Sequence, residues 1–304
     1  MYSGGSGGGS AVQAKKVTVP ELRRRKRGGL PLAMVTAYDF TMARLVDAAG
    51  VDLILVGDSL GMVVQGLANT LPVTIDEMCY HGRAVARGVS RAHLVGDMPF
   101  MSYQVSPAQA LESAGRLIKE GAYESVKIEG GEETAEHVRR VVRAGIPVMG
   151  HVGLTPQSVH ALGGFRMQGR GEEAAAKIVA DARAIEEAGA YAIVLEAIPP
   201  DVAARVTAEV AVPTIGIGAG PACDGQVLVC TDLLGMARDH APKFTKRYAE
   251  LGDAIVDAVT RYVAEVQSGA FPTAEHAYKP NRTGDEYPEG GTGIGGPREP
   301  APRH

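Results

Sequence analysis

One recurring pattern constrains this chain more than any other. A helical stretch runs into a glycine, and the glycine is followed by a short apolar run with a polar end. The pattern appears as AAG then VDLILVGDS at Gly50, ARG then VSRAHLVGDMPF at Gly88, and KEG then AYESVKIEGG at Gly121. It returns as RAG then IPVMGHVG at Gly145 and EAG then AYAIVLEAIPP at Gly189. Glycine just past a helix end adopts the left-handed conformation at little cost, so each case reads as a helix stop feeding a strand. The runs VDLILV, AIVL and TIGIG are apolar at nearly every position, as parallel strands covered on both faces are. LAMVTAYD ahead of the first helix, VPTIGIGAG and VLVCTD bring the number of strands to eight. Eight strands alternating with helices in a chain of 304 residues predict the α/β class and a closed (β/α)8 barrel. One unit fits poorly: only PACDGQ separates GIGAG from VLVCTD, too short for a crossover helix. A doubly wound open sheet is the structural alternative, but its dinucleotide fingerprint is absent. The segment Lys243 to Ser268 has long helical periodicity and is expected to close the domain.

Composition bounds what such a barrel does. With 45% hydrophobic residues the chain supports one large core. A formal net charge of −4 gives no electrostatic case for nucleic acid or an anionic membrane. The single basic run, RRRKR from Arg23 to Arg27, lies in VPELRRRKRGG and reads as a short solvated helix. Cys79, Cys223 and Cys230 are too few and too irregularly spaced for a disulfide framework or a zinc site, and read as reduced thiols of a cytoplasmic protein. No apolar run approaches the roughly 20 residues of a membrane span, and MYSGGSGGGS lacks the apolar core of a signal peptide. Residues 1–16 read as a flexible Gly/Ser-rich tail, 17–278 as the barrel, and 279–304 as a disordered Gly/Pro-rich tail.

In parallel α/β barrels the chemistry collects where strands meet the loops that follow them. Those positions here are Asp39, Asp58, Asp97, Lys127 with Glu129, His151 and Glu196. The stretch VKIEGGE from Val126 to Glu132 sharpens the point, because strand alternation aims Lys127 and Glu129 at the same face. An exposed edge strand with a surface ion pair is one reading, and a strand end opening into an active site is the other. Carboxylates converging on one rim repel one another, and a divalent cation is the simplest compensation. All-oxygen ligands favour a hard ion such as Mg2+ over zinc. Asp39, before Phe40 and Thr41, reads as a helix cap instead. The repeated context LVGD, on two strands, sets Asp58 and Asp97 apart from such caps. His151 is open between substrate orientation and a satisfied buried polar group. In TPQS, Thr155 reads as a helix cap with Pro156 in the first turn. GIGAG reads as tight backbone packing rather than a phosphate cradle, and the loop Gly163 to Gly171 as either a lid or a subunit contact.

The chain resembles the ketopantoate hydroxymethyltransferase family. The residues that carry the resemblance are TAYD (Thr36 to Asp39), LVGDSLGMVVQG (Leu55 to Gly66), TLPVT (Thr70 to Thr74), DMPF (Asp97 to Phe100) and VKIEGGE. They continue through GHVGLTPQSV (Gly150 to Val159), GGFRMQGRG (Gly163 to Gly171), VPTIGIGAG (Val212 to Gly220) and DGQVLV (Asp224 to Val229). The resemblance implies a (β/α)8 TIM barrel of the phosphoenolpyruvate mutase/isocitrate lyase type. It implies Mg2+-dependent addition of a one-carbon unit from 5,10-methylenetetrahydrofolate to 3-methyl-2-oxobutanoate, the first step of the pantothenate branch. It further implies that Asp58, Asp97 and Glu129 hold the metal, that Asp58, Ser59, Asp97 and Lys127 hold the oxo acid, and that Glu196 accepts the proton. A homo-oligomer, often a decamer in this family, is implied as well.

Two rivals remain at this stage. One is a different Mg2+-enolate lyase or mutase on the same barrel, some of which use a reactive loop cysteine whose context is missing here. The other is a non-catalytic oxo-acid or folate binding protein; Asp58, Asp97, Lys127 and Glu196 are all present, which argues against it.

Overall fold

The computed structural model describes residues 15–26, 28, 30–237 and 242–278. The C-terminal tail expected over 279–304, and all of the N-terminal tail but Lys15 and Lys16, lie outside these residues. The chain forms two compact units, one ending at Gly252 and the other beginning at Asp253.

The first unit is built on eight strands: β1 Leu32–Thr36, β2 Leu53–Val56, β3 His93–Asp97, β4 Ser125–Glu129, β5 Val148–Gly153, β6 Ala192–Glu196, β7 Thr214–Ile217 and β8 Gly225–Leu228. Each pairs in parallel with the next, and β8 pairs with β1, so the sheet closes into a barrel. The helices, in chain order, are α1 Val19–Arg25, α2 Phe40–Ala48, α3 Leu60–Val63, α4 Ile75–Ala86, α5 Pro107–Gly121, α6 Ala135–Arg143, α7 Glu172–Glu187, α8 Pro200–Glu209, α9 Cys230–Leu233 and α10 Leu251–Ser268.

Strand alternation divides the core into two layers. Leu53 and Leu55 of β2, Val95 of β3, Met149 of β5, Val194 of β6 and Ile215 of β7 belong to the cluster inside the barrel. Ile54, Val56, Leu94, Val126 and Ile128 belong to the cluster between strands and helices. Both faces are therefore apolar, and this is why the strand sequences show little alternation. At the start of the strands the interior turns polar: His93 Nε2 lies 2.9 Å from Ser125 Oγ, which lies 3.0 Å from Tyr191 Oη. The other polar interior layer lies at the strand ends.

The poorly fitting unit has a simple geometry. No helix lies between β7 and β8, yet the two strands are parallel. The register explains it, because Gly225 at the start of β8 sits opposite Ile215, the second residue of β7. The chain retraces only a short length of strand, which a loop can do. The eighth strand begins earlier than VLVCTD, because the Asp224 carboxylate accepts from the Thr214 amide at 2.8 Å and fixes the entry; Cys230 already belongs to α9.

Other expectations need correction. The basic run is not simply solvated: Leu22 is 1% exposed, and Arg25 Nη2 pairs with Asp52 at 3.2 Å and Lys26 Nζ with Asp224 at 2.9 Å. The helix expected over Lys243 to Ser268 starts only at Leu251. The amides of Tyr248, Leu251 and Gly252 donate to the carbonyls of Leu233, Leu234 and Gly235, so they are not spent on a helix of their own. Among the five helix-stop glycines, Gly50, Gly145 and Gly189 have positive φ, whereas Gly88 and Gly121 do not. After α5 the left-handed residue is Ala122, at φ 60°. In the second unit, Phe271 packs on Tyr262 with ring centroids 5.6 Å apart. No described helix is long and apolar enough to cross a membrane.

Candidate active site

The ends of β3 to β6 aim their inward residues at one place. Asp97 closes β3, Lys127 and Glu129 are the inward residues of the second half of β4, His151 lies on β5 and Glu196 ends β6. Asp58 comes two residues after β2, in the turn before α3, and its amide donates to Asp97 Oδ2 at 3.2 Å. Asp58, Asp97, Lys127, Glu129 and His151 are each no more than 4% exposed. Lys127 and Glu129 thus form no surface pair on an edge strand, because a closed barrel has no edge.

Lys127 Nζ is at the centre: 2.7 Å from Asp97 Oδ1, 3.4 Å from Glu129 Oε1 and 3.1 Å from His151 Nδ1. The far nitrogen of the same ring, Nε2, lies 3.2 Å from Glu196 Oε2. The contacts of Asp97 Oδ1 and His151 Nε2 are ion-pair approaches without well-directed hydrogen bonds. Ser59 Oγ lies 2.8 Å from Tyr38 Oη, and space there is tight, since a side chain at Gly57 would strike Ser59 Oγ at 2.8 Å.

The electrostatics follow from burial and crowding. Burial, with the negative charges of Asp97 and Glu129, pushes the Asp58 carboxyl well above its usual range. Asp97 is raised as well, chiefly by burial, although Lys127 pulls the other way. Burial presses Glu129 upward too, but the Lys127 ammonium and the His151 ring outweigh it and hold the group at about 2. Burial would neutralise Lys127, yet the carboxylates around it raise its pKa above the ordinary lysine value. For His151, burial and Lys127 favour the neutral ring, and Glu129 and Glu196 overcome them to give about 9.

Asp58, Asp97 and Glu129 each offer an oxygen, and these atoms lie within 4.8 Å of one another. A cation ligated there would relieve the repulsion that raises Asp58 and Asp97. The donor set, all carboxylate oxygen, fits a hard divalent ion.

The strand-end positions read from sequence therefore come together, with Glu196 joined through His151. Asp39 does not join them: its carboxylate accepts from the Met42 amide at 2.9 Å and caps α2. Thr155 makes no cap bond; a short 3-10 turn, Pro156–Ser158, follows it. Glycines of GIGAG pack tightly, a side chain at Gly216 meeting Cys223 Sγ at 2.9 Å. In the Gly163 to Gly171 loop, Phe165 is 50% and Met167 45% exposed. Two residues that the sequence did not single out stand beside the carboxylates, Gln157 and Tyr103. Gln157 donates its amide N–H to Glu129 Oε2 at 3.0 Å and its side-chain Nε2 to Asp58 Oδ2 at 2.9 Å. The Tyr103 hydroxyl lies 2.8 Å from Gln157 Oε1. Gln157 falls within the stretch GHVGLTPQSV, the only signal that could have drawn attention to it.

The family model described as ketopantoate hydroxymethyltransferase matches residues 16–274. The chain belongs to the ketopantoate hydroxymethyltransferase family. A 3-methyl-2-oxobutanoate hydroxymethyltransferase of Pelobacter propionicus is 59% identical over 264 residues, covering 87% of this chain and 98% of the relative. The protein of the same name from Moorella thermoacetica is 56% identical over 268 residues, 88% of this chain and 100% of its own length. Among solved structures, a 2,3-dimethylmalate lyase of the PEP mutase/isocitrate lyase superfamily superposes with a TM-score of 0.54 at 18% identity. That match covers 86% of this chain and 92% of the lyase. A phosphonomutase-like protein of Burkholderia cenocepacia gives 0.56 at 17% identity, covering 83% and 98%. At such identities the likeness is one of fold.

Proposed function

We propose that this chain transfers a hydroxymethyl group from 5,10-methylenetetrahydrofolate to 3-methyl-2-oxobutanoate, giving 2-dehydropantoate and tetrahydrofolate. This is the first step of the pantothenate branch toward coenzyme A. The observation that carries the reading is the buried set Asp58, Asp97 and Glu129 around Lys127, in a chain of this family.

In this reading Asp58, Asp97 and Glu129 hold Mg2+, and Ser59 and Lys127 join Asp58 and Asp97 in seating the oxo acid. Bound there, Mg2+ supplies Lewis-acid stabilisation of negative charge on the substrate's oxo oxygen. Lys127 adds a fixed positive charge near the same oxygen, and its carboxylate neighbours keep it protonated. A C–H beside a ketone is a very weak acid, so the barrier falls only if that charge is met as it forms. Glu196 removes the C3 proton as general base. His151, 3.2 Å from Glu196 Oε2, orients that carboxylate from the side opposite Lys127. The resulting carbanion attacks the folate-bound methylene carbon. Both folate C–N bonds break; one water supplies the hydroxyl, and the C3 proton taken by Glu196 and the second proton of that water end on the two folate nitrogens, which balances the atoms.

The mutase and lyase alternative draws no support from the cysteines. Cys230, just past β8, is buried, and burial pushes its thiol up, away from the reactive thiolate.

The test follows the C3 proton of 3-methyl-2-oxobutanoate by NMR in D2O, with and without Mg2+. Wild type should exchange it in a metal-dependent way and make 2-dehydropantoate once methylenetetrahydrofolate is added. Glu196→Gln, folded by circular dichroism, should exchange roughly 100- to 10,000-fold more slowly. Full exchange by that variant removes Glu196 as the base, and no exchange or product by folded wild type removes the proposal.

A further inference from the structure

We propose that Gln157 is the positioning residue that sets the geometry of the metal-binding carboxylates, an inference that rests on the Mg2+ reading above. Gln157 is 5% exposed, and its backbone N–H and both ends of its side-chain amide are engaged across the strand-end loops. Its backbone N–H donates to Glu129 Oε2 at 3.0 Å, which ties down β4's carboxylate. Its side-chain Nε2 donates to Asp58 Oδ2 and to the Met98 carbonyl, both at 2.9 Å, and so joins the turn after β2 to the turn after β3. Its Oε1 receives the Tyr103 hydroxyl at 2.8 Å and Gln104 Nε2 at 3.0 Å. Chemistry fixes which way the amide points. Nε2 faces a carboxylate and a carbonyl, which only accept, while Oε1 faces a hydroxyl and an amide, which can donate.

The consequence concerns lone pairs. Asp58 Oδ2 and Glu129 Oε2 are each held by Gln157, while Asp58 Oδ1 takes no hydrogen bond among the described residues. Asp58 thereby keeps one oxygen for a cation, while Glu129, held at Oε2 by Gln157 and facing Lys127 Nζ with Oε1 at 3.4 Å, cannot turn away from it. Groups that orient metal ligands from behind typically change affinity 10- to 100-fold when removed. Leucine at this position would fill the space, leave Asp58 Oδ2 and the Met98 carbonyl without a donor, and free the Asp58 carboxylate to turn. Tyr103 serves the same end one step back, because its hydroxyl also lies 3.1 Å from the Glu129 carbonyl.

The decisive experiment titrates the metal-free full chain with Mn2+, following free Mn2+ by electron paramagnetic resonance, for wild type, Asp58→Asn, Gln157→Leu and Tyr103→Phe. The thermal midpoint is recorded without metal, and turnover is measured across Mg2+ concentration. Gln157→Leu should bind Mn2+ about 10- to 100-fold more weakly and need correspondingly more Mg2+ for half-maximal rate. At saturating Mg2+ its kcat should come within a few-fold of wild type, a split that a purely structural role would not produce. Tyr103→Phe, which keeps the ring packing, should lose about 2- to 10-fold in Mn2+ affinity and decides the matter should Gln157→Leu not fold. If wild type binds Mn2+, Asp58→Asn does not, and the Gln157 variant (or, where it is unfolded, the Tyr103 variant) matches wild type, the positioning role is overturned and the Mg2+ reading stands. If wild type fails to bind, or Asp58→Asn binds equally well, the Mg2+ reading falls and takes this inference with it.

Discussion

Around the Tyr123 ring, three backbone segments approach more closely than any side chain allows. A Cβ at Gly82 or Gly121 would lie 2.5 Å from the ring, and one at Gly96 would lie 2.7 Å from it. The hydroxyl in turn donates to the Met78 carbonyl at 2.7 Å, so the ring cannot swing aside. Gly96→Ala should therefore destabilise by about 1–3 kcal/mol in urea melts, and the cost should shrink in a Tyr123→Leu background. Gly82→Ala should not be rescued in that way, because its Cβ would also meet the Gly121 carbonyl at 2.5 Å. This is also why the left-handed turn falls one residue past Gly121 although the helix stops there: the glycine is there to admit a neighbour, not to supply positive φ. Catalytic candidates were easier to read than such packing. Asp97, Lys127, Glu129 and Glu196 follow from strand alternation and strand-end position alone, whereas Gln157 sits in an irregular loop whose contacts exist only once the strand ends have met. His93 gives a pH test at this scale. Burial holds its pKa at about 4, below the ordinary 6.5, so the unfolded chain binds a proton that the folded chain refuses across that window. Stability from this site is thus complete above pH 6.5 and is withdrawn as pH falls, by up to about 3 kcal/mol. His93→Gln should flatten that limb relative to wild type; parallel pH–stability curves would refute the assignment.

At the scale of elements, the strands were legible because residues covered on both faces are apolar whatever their neighbours do. Boundaries were less legible where a single side-chain bond decides them, as Asp224 does for β8. The end of α5 is another such place. Ala122 adopts φ 60° with its side chain exposed, a conformation that costs a residue with Cβ roughly 1–2 kcal/mol. Ala122→Gly should raise stability by about 1 kcal/mol, partly offset by the greater freedom of glycine in the unfolded chain. A calorimetric midpoint at or below that of wild type would show that the neighbouring Tyr123 slot, rather than the left-handed turn, sets the strain there.

For the molecule as a whole, closure of the barrel is what gathers the candidate site, since its residues come from the ends of strands spread along the chain. The opposite end of the barrel is sealed by the segment that precedes β1. Val17 and Leu22 belong to the interior cluster, and Lys26 donates to the Thr207 carbonyl at 2.6 Å and to Asp224 at 2.9 Å. Leu22→Ala should cost about 2–5 kcal/mol, as loss of a fully buried leucine does, and a loss under 1 kcal/mol would mean that the segment merely covers the barrel. Leu22 was not legible as core, because its neighbours are charged and a short basic helix looks solvated until its docking surface is known. That docking has a consequence for biosynthesis. Asp224 follows Lys26 by 198 positions, so this segment, made ahead of β1, finds its seat only when nearly the whole barrel has been made. At about 5–20 residues per second it waits roughly 10–40 s on the ribosome with Leu22 uncovered, and the charges beside that leucine keep the waiting segment in water.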